Sequence, residues 1–121
     1  MPKKRPRRKK PTYNGSAIET LKGGNFDTKS SYETAYAKML DENELVESFA
    51  YEPLLIKYRY KSRNMNYIPD FLVKFTNGSF EIHEVKPKAM LNKVRNKAKF
   101  AAARRGLIPF VLITEDDLFT P

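Results

Sequence analysis

The chain contains no cysteine, which excludes a disulfide scaffold and any thiolate zinc site, leaves packing alone to hold the fold, and suits a reducing compartment. A single histidine, His83, is too little for a histidine-based metal site, and a structural polar role is expected of it. No apolar run approaches the roughly 18 residues of a membrane span. The basic start, MPKKRPRRKKP, leads into no apolar segment, so it does not read as a secretory signal. A soluble protein that stays in the cytoplasm is expected. Ser30 and Ser31 have no His–Asp partners and no glycine-rich phosphate loop is present, so acyl transfer and nucleotide-triphosphate chemistry have no support. With 121 residues, 40% hydrophobic and 31% charged, the chain has room for one small domain and a tail.

Acidic residues are missing from two stretches. Residues 1–10 carry seven basic residues (Lys3, Lys4, Arg5, Arg7, Arg8, Lys9, Lys10) and no acid, and residues 86–105 carry eight, among them Lys86, Lys88, Lys93 and Lys97, again with no acid. The net charge of +9 therefore sits in two blocks, the footprint of a polyanion binder. Phosphate contact by counterion release is the expected role of the first block, with a solvated leader as the alternative. Lys88, Lys93 and Lys97 are the candidate polyanion contacts of the second.

Residues 1–29, with three prolines in the first 11 positions and the Gly23–Gly24 pair, read as a flexible basic arm. A domain over 30–121 follows. Ser30 three residues before Glu33 is a capping-box pattern, and Tyr32, Ala35, Tyr36, Met39 and Leu40 recur at helical spacing, predicting a helix to about Glu42. Val46 to Tyr60 reads as a strand broken or bulged at Pro53. Residues 66–75 and 80–86 read as two antiparallel strands joined at Asn77–Gly78, a strong hairpin signal. Met90, Leu91, Val94, Ala98, Ala101 and Ala102 predict a second helix, basic on its far face, that stops at Gly106. A buried strand over 109–114 and a short acidic turn or helix complete an α-β-β-β-α-β order, which implies an α/β fold with a mixed central sheet flanked by helices.

Strand alternation puts Glu84 and Lys86 on one face and His83 on the other, while Asp70 shares a face with Ile68 and Leu72. An unpaired carboxylate among core residues would cost several kcal/mol, so a cation or a hydrogen-bond network must compensate. Asp70 and Glu84 on adjoining strands can hold a hard divalent ion such as Mg²⁺, with Lys86 beside it to orient a water and stabilise transition-state charge. A structural ion pair with Lys86 is the alternative, and for Glu33 the helix cap alone is a sufficient reason.

Pro69–Asp70 followed by Glu84–Val85–Lys86 resembles the PD…(D/E)XK signature of metal-dependent nucleases. With the Ser30-x-x-Glu33 helix start, Leu40–Asn43, Val46, Phe49, Glu52–Pro53 and Tyr67-x-Pro69–Val73, residues 30–114 resemble TnsA-type transposon endonuclease domains. They are also similar to phage head-completion nucleases and, more loosely, to endonuclease I-type Holliday-junction resolvases. The resemblance implies a restriction-endonuclease-like core, DNA cleavage to a 5′-phosphate and a 3′-hydroxyl, and Mg²⁺, with Mn²⁺ as substitute. It implies catalytic roles for Glu33, Asp70, Glu84 and Lys86, the metal held by Asp70, Glu84 and the Val85 carbonyl, and Glu33 on a second ion or through water. TnsA-type proteins carry a C-terminal extension toward transposase partners, whereas this sequence ends at Pro121, so a stand-alone, phage-encoded nuclease of an infected bacterial cell or virion is expected, with a viral or transposition assembly partner in view. A nonenzymatic DNA-binding or virion assembly protein on the same fold is the alternative. One site per chain and two strands per duplex imply a homodimer, with Phe49–Tyr60 as the candidate pairing edge.

Overall fold

The computed structural model describes residues 15–119. Its elements run β1 (Ala17–Thr20), β2 (Gly24–Asp27), α1 (Ser31–Glu42), β3 (Val46–Tyr51), β4 (Ile56–Tyr60), β5 (Arg63–Tyr67), β6 (Phe71–Phe75), β7 (Phe80–Val85), a 3₁₀ turn (Lys88–Met90), α2 (Val94–Arg104), β8 (Phe110–Ile113) and α3 (Glu115–Leu118). The central sheet has the order β3-β6-β7-β8. Its first two pairings are antiparallel and β7–β8 is parallel, α2 making the crossover that parallel pairing requires. The expected α-β-β-β-α-β core and mixed sheet are thus present as α1-β3-β6-β7-α2-β8, with two hairpins added.

Local chemistry accounts for the central hairpin. Gly78 adopts φ 89°, open to glycine without steric cost, and Asn77 Oδ1 accepts the Ser79 N–H at 2.9 Å. The β6–β7 register pairs Phe71 with His83 and Leu72 with Ile82. Phe71, Val73 and Val85 face α1 and join Tyr36, Ala37, Leu40, Val46 and Phe49 in the main core. Ile82 lies with Ala102 and Ala103 of α2 on the opposite face. With helices over both faces, β7 is buried continuously from Ile82 to Val85 instead of alternating.

His83 takes the structural place expected of it. Its ring is buried between Tyr36 Oη (2.6 Å to Nδ1) and Glu81 Oε1 (2.8 Å to Nε2). A carboxylate only accepts, so Nε2–H donates to Glu81 and Nδ1 accepts from the Tyr36 hydroxyl, tying α1 to the sheet.

Four sequence expectations change. The flexible arm does not extend to residue 29, because residues 17–27 form a docked hairpin with Ile18 buried. Asp41 accepts the Leu21 and Lys22 N–H groups, Phe49 N–H reaches Lys22 C=O at 3.2 Å, and Gly23 lies so near the Phe49 ring that a Cβ there would meet it at 2.3 Å. Residues 46–60 are two strands: Glu52 turns at φ 53° and Pro53 offers no N–H, so β4 leaves the sheet and pairs with β5 in a hairpin of its own. The run 66–75 is likewise divided, at Pro69. Finally, α2 buries Asn96, Phe100, Ala102 and Ala103 while Val94 is two-thirds exposed, since the helix starts only after the 3₁₀ turn, which Asn96 Nδ2 caps through Met90 C=O at 2.8 Å.

Candidate active site

The ends of β6 and β7 create the site. Extending their register by one residue sets Asp70 opposite Glu84, and their groups interlock: Asp70 N–H donates to Glu84 Oε1 (3.1 Å) and Val85 N–H donates to Asp70 Oδ2 (2.7 Å). Both side chains are buried, with Asp70 6% and Glu84 4% exposed. Lys86 Nζ lies 3.5 Å from Glu84 Oε2. Burial foremost, then the charges of Glu84 and Glu33, raises the Asp70 carboxyl well above the ordinary carboxylate range. Burial also raises Glu84, against the opposing pull of Lys86. Two carboxylates facing each other away from water favour a shared proton or a bound cation over two free charges.

The donor set fits a hard divalent ion. Among the described residues no hydrogen bond reaches Asp70 Oδ1, and Glu84 Oε2 has Lys86 Nζ at 3.5 Å. In an extended strand one residue's N–H and C=O point to the same edge, so the Val85 carbonyl is directed to the Asp70 side with its N–H. Oxygen donors of this kind suit Mg²⁺, which takes few protein ligands and retains waters.

Glu33 occupies the first turn of α1, where its N–H bonds the Ser30 N-cap oxygen at 3.1 Å. Only half of the expected capping box forms, because its carboxylate turns to Lys29 N–H (3.0 Å) and to the Tyr51 hydroxyl (2.6 Å). No three acidic or histidine side chains among the described residues converge as a metal cluster, so Glu33 stands apart from the Asp70–Glu84 pair. It lines, with Val85 and Lys86, one groove of about 80 Å³.

The basic residues separate. Lys3, Lys4, Arg5, Arg7, Arg8, Lys9 and Lys10 lie outside the described residues. Lys93 and Lys97 are exposed at the start and along the side of α2. Lys88 pairs with Asp116 at 3.0 Å, which offsets the charge it would bring to a phosphate.

Three neighbours of the site escape a sequence reading. Tyr51 holds Glu33. Tyr67 lies close enough to Glu84 for that charge to raise its hydroxyl, after burial the largest influence on it, yet the oxygen is buried without a hydrogen-bond partner among the described residues. Lys99 of α2 sits 5.6 Å over the Tyr67 ring, and burial, with Lys86 and Arg95 nearby, lowers it below an ordinary lysine. Their only signal in the sequence is aromatic or basic character, which core packing explains equally well.

A mixed sheet flanked by helices, with Pro69–Asp70 and Glu84-x-Lys86 meeting at its strand ends, defines the class: a nuclease domain of the PD-(D/E)XK type. Within that class, the family model of the TnsA-like endonuclease N-terminal domain matches residues 43–115, and the chain belongs to this family. The match includes Asp70, Glu84 and Lys86 and leaves the Glu33 helix upstream. No curated protein matches the chain.

Proposed function

We propose that the chain is a Mg²⁺-dependent DNA endonuclease hydrolysing phosphodiester bonds. The observation that carries this reading is the buried Asp70–Glu84 pair with Lys86 at its rim. A divalent ion held by Asp70, Glu84 and the Val85 carbonyl would supply Lewis-acid activation of the phosphate. The chain's own groups supply the rest. Lys86, partly open to solvent, draws the scissile phosphate to the rim and orients the attacking water. Glu33, held by Tyr51 and Lys29, lines the groove it shares with Lys86, where its carboxylate would accept hydrogen bonds from water. Helices on both faces of β7 keep bulk water from the carboxylates and strengthen each charge interaction there.

The substrate is DNA, branched junctions or phage-packaged ends among the forms it would cut, and Mn²⁺ is expected to replace Mg²⁺. Supercoiled plasmid, linear duplex and a four-way junction, incubated side by side with Mg²⁺ and with EDTA, test the reading. Metal-dependent cleavage of at least one is expected. No cleavage of any, or equal cleavage in EDTA, overturns it.

A further inference from the structure

Between Glu52 and Asp70 the sequence has no acid and four basic residues, Lys57, Arg59, Lys61 and Arg63. This is the β4–β5 hairpin, a part of neither basic block. Its register pairs Lys57 with Asn66 and Arg59 with Asn64, so alternation sends Lys57, Arg59, Asn64 and Asn66 to one face, where all are exposed, while Arg63 lies opposite Tyr60 on the other. The other face carries Tyr58 and Tyr67, buried against Ala102 and Ala103 of α2. The hairpin is therefore firmly seated on its aromatic side and wholly polar, cationic and amide-bearing on its free side.

Five further observations give this face an occupant. The free side bears a depression of about 420 Å³ lined by Lys57, Arg59, Asn64 and Asn66. Arg59 is preset there, its guanidinium donating to Asn64 Oδ1 (3.0 Å) and Ser62 C=O (3.1 Å). The turn itself is strained: Lys61 and Ser62 both lie at positive φ, 52° and 63°, in a two-residue hairpin loop where Asn-Gly would be accommodated without strain. A cation retained at a strained tip points to a use for it. At its base, only Ile68 and Pro69 separate β5 from Asp70, and Arg95 of α2 stacks on Tyr60 at 5.2 Å, which continues the positive surface from the hairpin into α2.

We propose that the β4–β5 hairpin is the chain's duplex-holding element, a two-stranded ribbon laid in the major groove beside the cut. The major groove admits such a ribbon; Lys57 and, at the tip, Lys61 reach phosphates, and Arg59, Asn64 and Asn66 face base edges. The inference rests on the endonuclease reading and adds to it where and how the duplex is held. Five residues of β5 at about 3.3 Å each span about 17 Å, or about five base pairs at roughly 3.4 Å per pair.

The test uses the full chain with Ca²⁺ and a duplex oligonucleotide, titrated by fluorescence anisotropy over a range of salt. Lys57→Gln/Arg59→Gln should weaken binding at least tenfold and flatten the log–log salt slope by about 0.9 for each phosphate no longer neutralised. Lys61→Gly, which removes a charge and relieves the turn, should weaken binding while keeping or raising Tm, so misfolding cannot account for the loss. Guanine N7 atoms within about five base pairs on one side of the cut should be protected from methylation by the wild type and not by the double variant. If the wild type binds and cuts DNA while these variants match it in affinity, slope and footprint, the hairpin assignment falls and the endonuclease reading stands. If the wild type binds no duplex yet cuts a four-way junction with Mg²⁺, the hairpin assignment falls and the endonuclease reading stands; if it neither binds duplex nor cuts any of the three DNA forms, both fall.

Discussion

Asp70 is held by the backbone of β7 and opposed by Glu84, and its burial has a consequence for stability that is separate from catalysis. Its carboxyl is raised above the ordinary value of 3.8, and that of Glu84 above 4.5. The folded, metal-free chain thus retains protons that the unfolded chain has already released. The pair's contribution is most favourable below the unfolded values and is lost as pH rises through the raised folded ones. Asp70→Asn keeps an acceptor for Val85 N–H and removes the charge, so in EDTA at pH 7 it should stabilise the fold by roughly 1–3 kcal/mol, the scale of an imperfectly compensated buried group. The advantage should vanish when the pH is lowered toward 4, where the wild-type carboxyl is itself protonated. Thermal unfolding of both proteins across that range checks it; a variant less stable than the wild type at pH 7 would mean that Lys86 already compensates the charge. Lys86 acts differently from the basic residues around it. Lys86→Ala should lower turnover far more than affinity, whereas Lys97→Ala, on an exposed helix face, should weaken binding and leave turnover at saturating DNA little changed. Equal behaviour in a steady-state comparison would make Lys86 one more phosphate contact.

At the scale of elements, the docked β1–β2 hairpin is open to a direct check. Gly23→Ala sets a methyl group against the Phe49 ring, and displacing a core ring should cost about 1–3 kcal/mol, read as a lowered denaturation midpoint. An unchanged midpoint would mean that the hairpin lifts freely from the core. This hairpin also marks where sequence reading succeeds and fails. Asn77–Gly78 dictates its turn through its own φ and side-chain preferences, so β6, β7 and the facing positions of Asp70 and Glu84 are legible locally. Gly23–Gly24 has the composition of a linker, and only contacts with Asp41 and Phe49, 18 or more positions away, make it a docked turn. The same holds for β4 and β5: apolar alternation is right for strands, but their choice of each other over the sheet depends on the backbone at Glu52 and Pro53. Tyr51, Tyr67 and Lys99 reach the site through that long-range folding, and no spacing rule points to them. The buried face of α2 departs from its apolar spacing for a related reason, since Asn96 is buried to cap a 3₁₀ turn and takes the place an apolar residue would fill.

At the scale of the whole molecule, charge and symmetry bear on the proposed encounter with DNA. No helix among the described residues is long and apolar enough to cross a membrane. If the basic residues Lys3 to Lys10 contact phosphates, deleting residues 1–11 should flatten the salt dependence of duplex binding by about 0.9 for each phosphate they neutralise, and an unchanged slope would assign them to solvation. We propose that the active species is a two-fold dimer, because matched cuts in antiparallel strands need two sites. Within the Phe49–Tyr60 segment expected as its pairing edge, Phe49 and Tyr58 are buried in the cores and Phe49 N–H already bonds the β1–β2 turn, so these two residues are not free to pair. Light scattering with and without DNA should give twice the chain mass for the active species, while a monomer that only nicks plasmid would refute the dimer. The measurement that bears most directly on the metal-dependent mechanism is plasmid cleavage in Mg²⁺ set beside DNA binding in Ca²⁺ for the wild type, Asp70→Asn and Glu84→Gln. Each substitution should abolish cleavage while binding is kept or strengthened, since each removes a negative charge near the phosphates; cleavage at the wild-type rate by either variant would contradict the assignment of this carboxylate pair as the catalytic centre.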